Sequence, residues 1–278
     1  MALTTAPQTL LVIPCFNEER RLRLSAFGTF LRGQSTSQVL FVNDGSTDAT
    51  LPLLQQFRRN HPGSCSVGSL GQNCGKAEAV RQGLLAAINA GARFVGYWDA
   101  DLAAPLRQVP LMEAVLARDP ETHVVIGVRL PLLGHRIRRD PMRRRLGSIA
   151  AWTIHAMTGL PTRDTQCGAK LFRVTAELIE SLKEPFHSRW LFDVELLLRL
   201  KSLHHGLEGV AYDFPLECWS EQRGSKVNWL TYARALTEMV RIRCGSRPAE
   251  RGPASRGNHS LSIDDQPFGE SSLEREAA

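Results

Sequence analysis

Five short aliphatic runs recur along the first 130 residues, and between them lie stretches long enough for a helix. The runs are TLLVIPCF (9–16), VLFVND (39–44), CSVGSL (65–70), FVGYWDAD (94–101) and HVVIGV (123–128). TDATLPLLQQFRRN (47–60) and KAEAVRQGLLAAINAG (76–91) stand among the intervening stretches. A strand that is apolar nearly throughout has to be covered on both faces. Strands of that kind alternating with helices read as βαβ units. The spacing therefore predicts an α/β fold with a mostly parallel central sheet flanked by helices and joined by right-handed crossovers. The stretch after Gly75 supports this, since Ala79, Val80, Gly83, Leu84 and Ala87 share one side of a helix.

Sheets of this type bind ligands beyond the carboxyl ends of their strands. Asp44 closes the second run, and Asp99 and Asp101 close the fourth in the string FVGYWDADLAAPL. Two carboxylates around one small residue suit a hard cation, Mg²⁺ or Mn²⁺, whose shell is completed by phosphate oxygens and water. The pair therefore points to a diphosphate-carrying substrate; the plain alternative is a chance acidic triplet in a surface loop. Other chemistries lack their signatures. No G-x-G-x-x-G follows a strand, and there is no G-x-x-x-x-G-K-[ST], G-x-S-x-G or H-E-x-x-H.

After residue 130 the alternation breaks down. PMRRRLGSIAAWTIHAMTGL (141–160) reads as a helix with an arginine-rich start and an apolar continuation. SRWLFDVELLLRLKSL (188–203) reads as a second, turning Leu191, Val194, Leu197, Leu198 and Leu200 to a core. LEGVAYDFPLECW (207–219) reads as a late strand and NWLTYARALTEMVRIRC (228–244) as a final amphipathic helix. Beyond Gly245 few apolar residues remain, so one domain over 1–244 and a disordered tail over 245–278 are expected.

The six cysteines (Cys15, Cys65, Cys74, Cys167, Cys218, Cys244) show no C-x-x-C spacing, which argues against zinc and against a disulfide framework. Their use fits a reducing cytoplasm. No 18-residue apolar run occurs, so no membrane-spanning helix is expected. MALTTAPQTLLVIP lacks a basic start and reads as a first strand, not a signal peptide. The net charge of +6 is concentrated in HRIRRDPMRRR (135–145), six arginines against one aspartate. Such a cluster serves phosphates, anionic lipid or nucleic acid, or it is simply a solvated basic face.

The order IPCFNEE, VNDGSTDAT, NCGKAEAVRQG, DAD resembles the inverting family-2 glycosyltransferases of the GT-A fold. DTQCGAKLF (164–172), RWLFDVELL (189–197) and GSKV (224–227) bring the resemblance closer to the dolichyl-phosphate glucosyltransferase and polyprenyl-phosphate glycosyltransferase branch. It covers roughly residues 8 to 243 and implies a nucleotide-sugar donor. By resemblance, Pro14, Phe16, Glu18 and Asp44 line the base and ribose pocket. Lys76, Asp99, Ala100, Asp101, Arg129 and Gln166 complete the donor site, with Asp101 holding the metal and Asp99 on ribose or assisting it. Some relatives place Gln or His two residues past the second aspartate, where this chain has Ala103. It also has Ala77 and Glu78 where the family carries glycines after the lysine. Plainer readings stand beside these: Glu18 and Glu19 as first-turn helix charge, and Ser46 or Thr47 as an N-cap. Cys167 reads as packing rather than as a nucleophile.

The acceptor decides whether a base is needed. A hydroxyl must lose its proton to a carboxylate within reach, and Asp193, on an otherwise apolar helix, is the candidate; as a core residue it would need a partner. A phosphate monoester is already a dianion at neutral pH and needs positive charge instead. Arg136, Arg138, Arg139, Arg143, Arg144 and Arg145 supply that charge, and Lys226 adds to it. The expected activity is transfer of a hexose, glucose from UDP-glucose, to a polyprenyl- or dolichyl-type phosphate, with Asp99, Asp101 and Asp193 as the catalytic carboxylates. The alternative is a soluble family-2 enzyme acting on a hydroxyl acceptor with Asp193 as base. A cytoplasmic protein at the membrane surface, without nucleic acid, is the corresponding expectation.

Overall fold

A computed structural model describes residues 8–33, 36–138, 153–162, 164–221 and 261–263. They fall into two units, Met1–Leu102 with His259–Ala278, and Ala103–Asn258.

In the first unit β1 (Thr9–Cys15), β2 (Ser37–Asp44), β3 (Cys65–Leu70) and β4 (Phe94–Trp98) alternate with α1 (Leu24–Gly33), α2 (Thr50–Arg59) and α3 (Lys76–Asn89). The strands lie in the order β3-β2-β1-β4 and are all parallel, with Thr9 opposite Ser37 and Thr9 opposite Phe94. Successive side chains of a strand point to opposite faces, and β2 shows how both faces are used. Phe41 meets Phe27 of α1 and Phe57 of α2 edge-on, at 4.9 and 5.8 Å between ring centres. Its neighbour Val42 faces the other way, onto α3. Gly83 of α3 comes so close that a Cβ there would lie 2.3 Å from Val12 Cγ1. The continuous apolar runs of β1 and β2 are thus covered on both faces, as their sequence requires.

In the second unit a short 3₁₀ turn leads into α4 (Val109–Arg118), followed by β5 (Val124–Val128) and β6 (Arg136–Arg138). After residues 153–162 come β7 (Ala169–Arg173), α5 (Ala176–Lys183), α6 (Phe192–Leu203), β8 (Ala211–Pro215) and β9 (Cys218–Ser220). β5 lies between β7, antiparallel to it, and β8, parallel to it. β6 and β9 form a separate parallel pair.

Three expectations are corrected. The late strand over 207–219 is two strands: Pro215 ends β8, Leu216 N–H donates to Val128 O at 2.9 Å, and the chain then changes partner to β6. The second helix starts at Phe192, not at 188, because the Ser188 hydroxyl holds Trp190 and Leu191 N–H in a turn ahead of it. It buries Leu196 where Leu198 was expected to be the inner residue. Within the tail, Ser262–Ile263 forms a strand, β10, antiparallel to β3. The final helix (228–244), the start of the arginine-rich helix and the rest of the tail lie outside the described residues. Among the described residues no helix is long and apolar enough to cross a membrane.

Candidate active site

β1, β2 and β4 end on the same side of their parallel sheet, and the loops that follow them carry the acidic residues. Two of those loops are stitched together. Asn17 N–H donates to Ser46 Oγ (3.1 Å), Glu18 N–H to Thr50 Oγ1 (2.8 Å) and Glu19 N–H to Asp48 Oδ2 (3.2 Å). In return Asn17 Oδ1 accepts from Thr47 N–H at 2.9 Å. Ser46 and Thr47 therefore do not cap α2; Asp48 accepts from Thr50 N–H and Glu19 from Ala49 N–H instead. Glu18 is not in a helix start either, since α1 begins only at Leu24 and Arg21 and Leu22 N–H bond back to Glu18 O as one isolated turn. Pro14 lies at the end of β1, and Phe16, just beyond it, is partly exposed.

Asp44, the last residue of β2, is buried and accepts from Cys74 N–H (2.7 Å), Gly75 N–H (2.9 Å) and Asn73 Nδ2 (3.2 Å). Its carboxylate thereby sits at the start of α3, where backbone N–H groups lack helical partners. The approach is close enough that Gly45, at φ +64°, cannot carry a side chain: a Cβ would lie 2.4 Å from Gln72 C. Lys76, the first residue of α3, reaches Asp99 Oδ1 at 2.5 Å.

Asp99-Ala100-Asp101 forms a tight turn closed by Leu102 N–H to Asp99 O at 3.0 Å. Leu102 takes a positive φ of 53°, uncommon for a residue with a side chain. Arg23 Nη2 braces the turn from outside, donating to Asp101 O at 2.9 Å and Leu102 O at 3.1 Å. Ala100 is buried, while both aspartates remain partly exposed. Glu18 belongs to the same electrostatic field. Burial raises its carboxyl above the usual range, the ion pair with Arg21 opposes this, and the charges of Asp101 and Asp99 add to the rise. Its Oε2 is buried, with no hydrogen-bond partner among the described residues. A hard divalent cation fits this collection of oxygens. Among the described residues no three His, Cys, Asp or Glu side chains gather as a metal cage, so two carboxylates would be its protein ligands, the rest being phosphate and water.

The second unit carries the other expected residues. Arg129 follows β5, and its guanidinium grips Asp164 with two bonds of 2.6 Å while lying 5.1 Å from the centre of the Trp219 ring. Gln166 is exposed nearby in sequence, and Cys167 is buried, in keeping with packing. Asp193 lies in the first turn of α6 and is buried, but it has a partner: Lys170 Nζ, fully buried on β7, donates to Asp193 Oδ1 at 2.8 Å and to Cys167 O at 2.6 Å. The observation that singled out Asp193, a carboxylate on an apolar helix, is thus accounted for by an ion pair. Arg136 and Arg138 are exposed on β6; Arg139, Arg143, Arg144, Arg145 and Lys226 lie outside the described residues. Asn73, Arg23, Asp164, Lys170 and Trp219 were not singled out from sequence. Asn73, Asp164, Lys170 and Trp219 stood inside quoted strings without a role of their own, and Arg23 stood in none; contacts far apart along the chain bring them in.

A parallel sheet with braced acidic turns at its carboxyl edge is the frame of a nucleotide-sugar glycosyltransferase. The profile of glycosyl transferase family 2 matches residues 10–176, and the chain belongs to that family. It is 34% identical to the dolichyl-phosphate beta-glucosyltransferase of Drosophila melanogaster over 81% of this chain and 72% of that protein. It is 30% identical to the enzyme of the same description from Trichomonas vaginalis, over 84% and 72%. Among solved structures it resembles glucosyl-3-phosphoglycerate synthase from Mycobacterium tuberculosis in complex with Mn²⁺, UDP and glucosyl-3-phosphoglycerate. There the TM-score is 0.59 at 18% identity, covering 94% of this chain and 88% of that one. The fold is GT-A.

Proposed function

We propose that the protein transfers glucose from UDP-glucose to a polyprenyl- or dolichyl-type phosphate. The observation that carries the chemistry is the Asp99-Ala100-Asp101 turn at the carboxyl end of β4, with Lys76 Nζ 2.5 Å from Asp99 Oδ1 and the Glu18 carboxyl in the same electrostatic field. The relatives' descriptions support the donor and acceptor. In this reading Phe16 and Pro14 flank the base, and Glu18 and Asp44 stand at the base and ribose, Asp44 also holding the loop before α3. Asp99 and Asp101 would hold Mg²⁺ or Mn²⁺, which when bound neutralises charge on the departing diphosphate. Lys76 brings its ammonium to the same place, where a helix start already favours anions.

Inversion then needs one nucleophilic oxygen on the far side of the anomeric carbon. The bond from that carbon to the diphosphate breaks as the bond to the acceptor phosphate forms. The acceptor brings its own negative charge, so no proton has to be removed and Asp193 is not required as a base. Positive charge is required, and Arg136, Arg138, Arg139, Arg143 and Lys226 supply it; guanidinium groups pair well with phosphate oxygens. The protein would work at a membrane surface on its cytoplasmic side.

The test is a matrix of nucleotide sugars, with and without Mn²⁺, against a short prenyl phosphate and a panel of hydroxyl acceptors. Glucosyl prenyl phosphate should form from UDP-glucose only with the metal. Asp101→Ala should abolish it while the melting temperature holds. Undiminished transfer in chelator, or preference for a hydroxyl acceptor, would refute the reading.

A further inference from the structure

The connection between β5 and β6 is braced at both ends and apolar at its tip. At one end Arg129 is clamped by Asp164 and packed on Trp219. At the other, His135 Nδ1 lies 2.9 Å from Leu216 O, and Arg136 N–H donates to Glu217 O at 2.8 Å. Between them the chain turns sharply: Leu132 N–H donates to Leu130 O and His135 N–H to Leu132 O, both at 3.0 Å, with Gly134 at φ +83°. This turn holds Leu133 wholly in solvent, at 103% of its reference exposure, and Leu132 at 46%.

Single exposed leucines are ordinary. Two adjacent ones at the tip of a braced loop are not explained by the turn, which any polar pair would also make. Immediately behind them Arg136 and Arg138, two residues apart on β6, project to the same side and are exposed.

An apolar tip with guanidinium groups behind it matches one environment. The tip enters hydrocarbon while the cations stay level with headgroup phosphates. A protein partner would instead be expected to meet a flatter patch with aromatic anchors.

We propose that Leu132 and Leu133 form a prong that inserts into the interface of an anionic lipid bilayer, with Arg136 and Arg138 engaging its phosphates. The purpose of the prong rests on the acceptor reading above: a prenyl tail keeps its phosphate in the bilayer, and the enzyme has to be seated there to reach it. The prong's geometry does not depend on that reading.

The test compares the full chain with the Leu132→Ser/Leu133→Ser variant in sedimentation with phosphatidylcholine vesicles containing phosphatidylglycerol. Leu111→Ser, at an exposed leucine of α4, is the control. Burying one leucine side chain is worth roughly ten- to a hundredfold in a partition constant. The double variant should therefore bind about tenfold more weakly or worse. Its melting temperature and its turnover of a short, water-soluble prenyl phosphate should be unchanged, and its turnover of a long-chain acceptor embedded in vesicles should fall.

Vesicle binding equal to that of the parent chain, an equal loss in Leu111→Ser, or a parent chain that ignores anionic vesicles would overturn the proposal. So would loss of self-association in the double variant with vesicle binding intact. The two readings fail separately. Binding through the leucines without transfer to any prenyl phosphate sinks the acceptor assignment alone. Transfer to the soluble acceptor without vesicle binding sinks the prong alone.

Discussion

Asp193→Asn is expected to damage the fold before it damages the chemistry. Lys170 Nζ is fully buried and 2.8 Å from Asp193 Oδ1. Two unit charges at that distance attract by roughly 6 kcal/mol at an effective dielectric of about 20, and burial of both groups consumes much of that gain. Removing one partner is another matter, because it strands the other charge in the core at a cost of about 3–5 kcal/mol. Thermal unfolding should register this as a loss of about 6–20 °C, at ~2–4 °C per kcal/mol for a chain of this order of size. Lys170→Met should cost a similar amount. The pair replaced together, Lys170→Met with Asp193→Leu, should recover most of it, so the cycle shows strong coupling. Turnover at saturating substrate, measured well below the melting point, should survive in Asp193→Asn. The reasoning is refuted if Asp193→Asn melts like the parent chain yet loses about a thousandfold in kcat; Asp193 would then be the base of a hydroxyl-directed enzyme.

Two further outcomes follow from the first unit. Glu18 has its carboxyl held above the usual range, chiefly by burial, so the stability it contributes is complete below its unfolded value near 4.5 and is lost as pH rises through the folded one. Glu18→Gln should thus be more stable than the parent chain at pH 7, by on the order of 1 kcal/mol, with the advantage gone near pH 4.5 in urea titrations; an advantage that grows in acid would contradict this. Gly83→Ala should lower the melting temperature by several degrees, because an overpacking cost of ~1–3 kcal/mol at Val12 exceeds the roughly 1 kcal/mol that alanine gains in a helix. A higher melting temperature would show that α3 can move off β1 freely.

The legible part of the fold is the part that is apolar over a whole element. β1 to β5 lie within a residue or two of their runs, or somewhat inside them, because strands buried on both faces are apolar over most of their length; β3, with Ser66 and Ser69, is the weakest of the five. β6 is exposed at both arginines and gives no such signal. β7 hides a buried lysine in AKLFR, where a local pattern argues for an exposed position. The acidic residues at the strand ends were legible because parallel sheets place their loops there. What those carboxylates touch was not. Asp44 is held by residues about thirty positions downstream, and the Asp99–Leu102 turn by Arg23 nearly eighty positions upstream. The partner of Asp193 lies on a different element, 23 residues away. Periodicity describes which face is buried; it carries no record of which charged group meets which.

β10 pairs only Ser262 and Ile263 with Ser69 and Gly68, and Leu261 packs over Gly68 so tightly that a Cβ there would be 2.9 Å from it. Without that pairing β3 would present a free edge, a row of main-chain donors and acceptors ready to join the same strand of another copy. Ser262 and Ile263 thus cover that part of the β3 edge. In a chain shortened before Leu261, self-association rather than lost catalysis is the first change to look for.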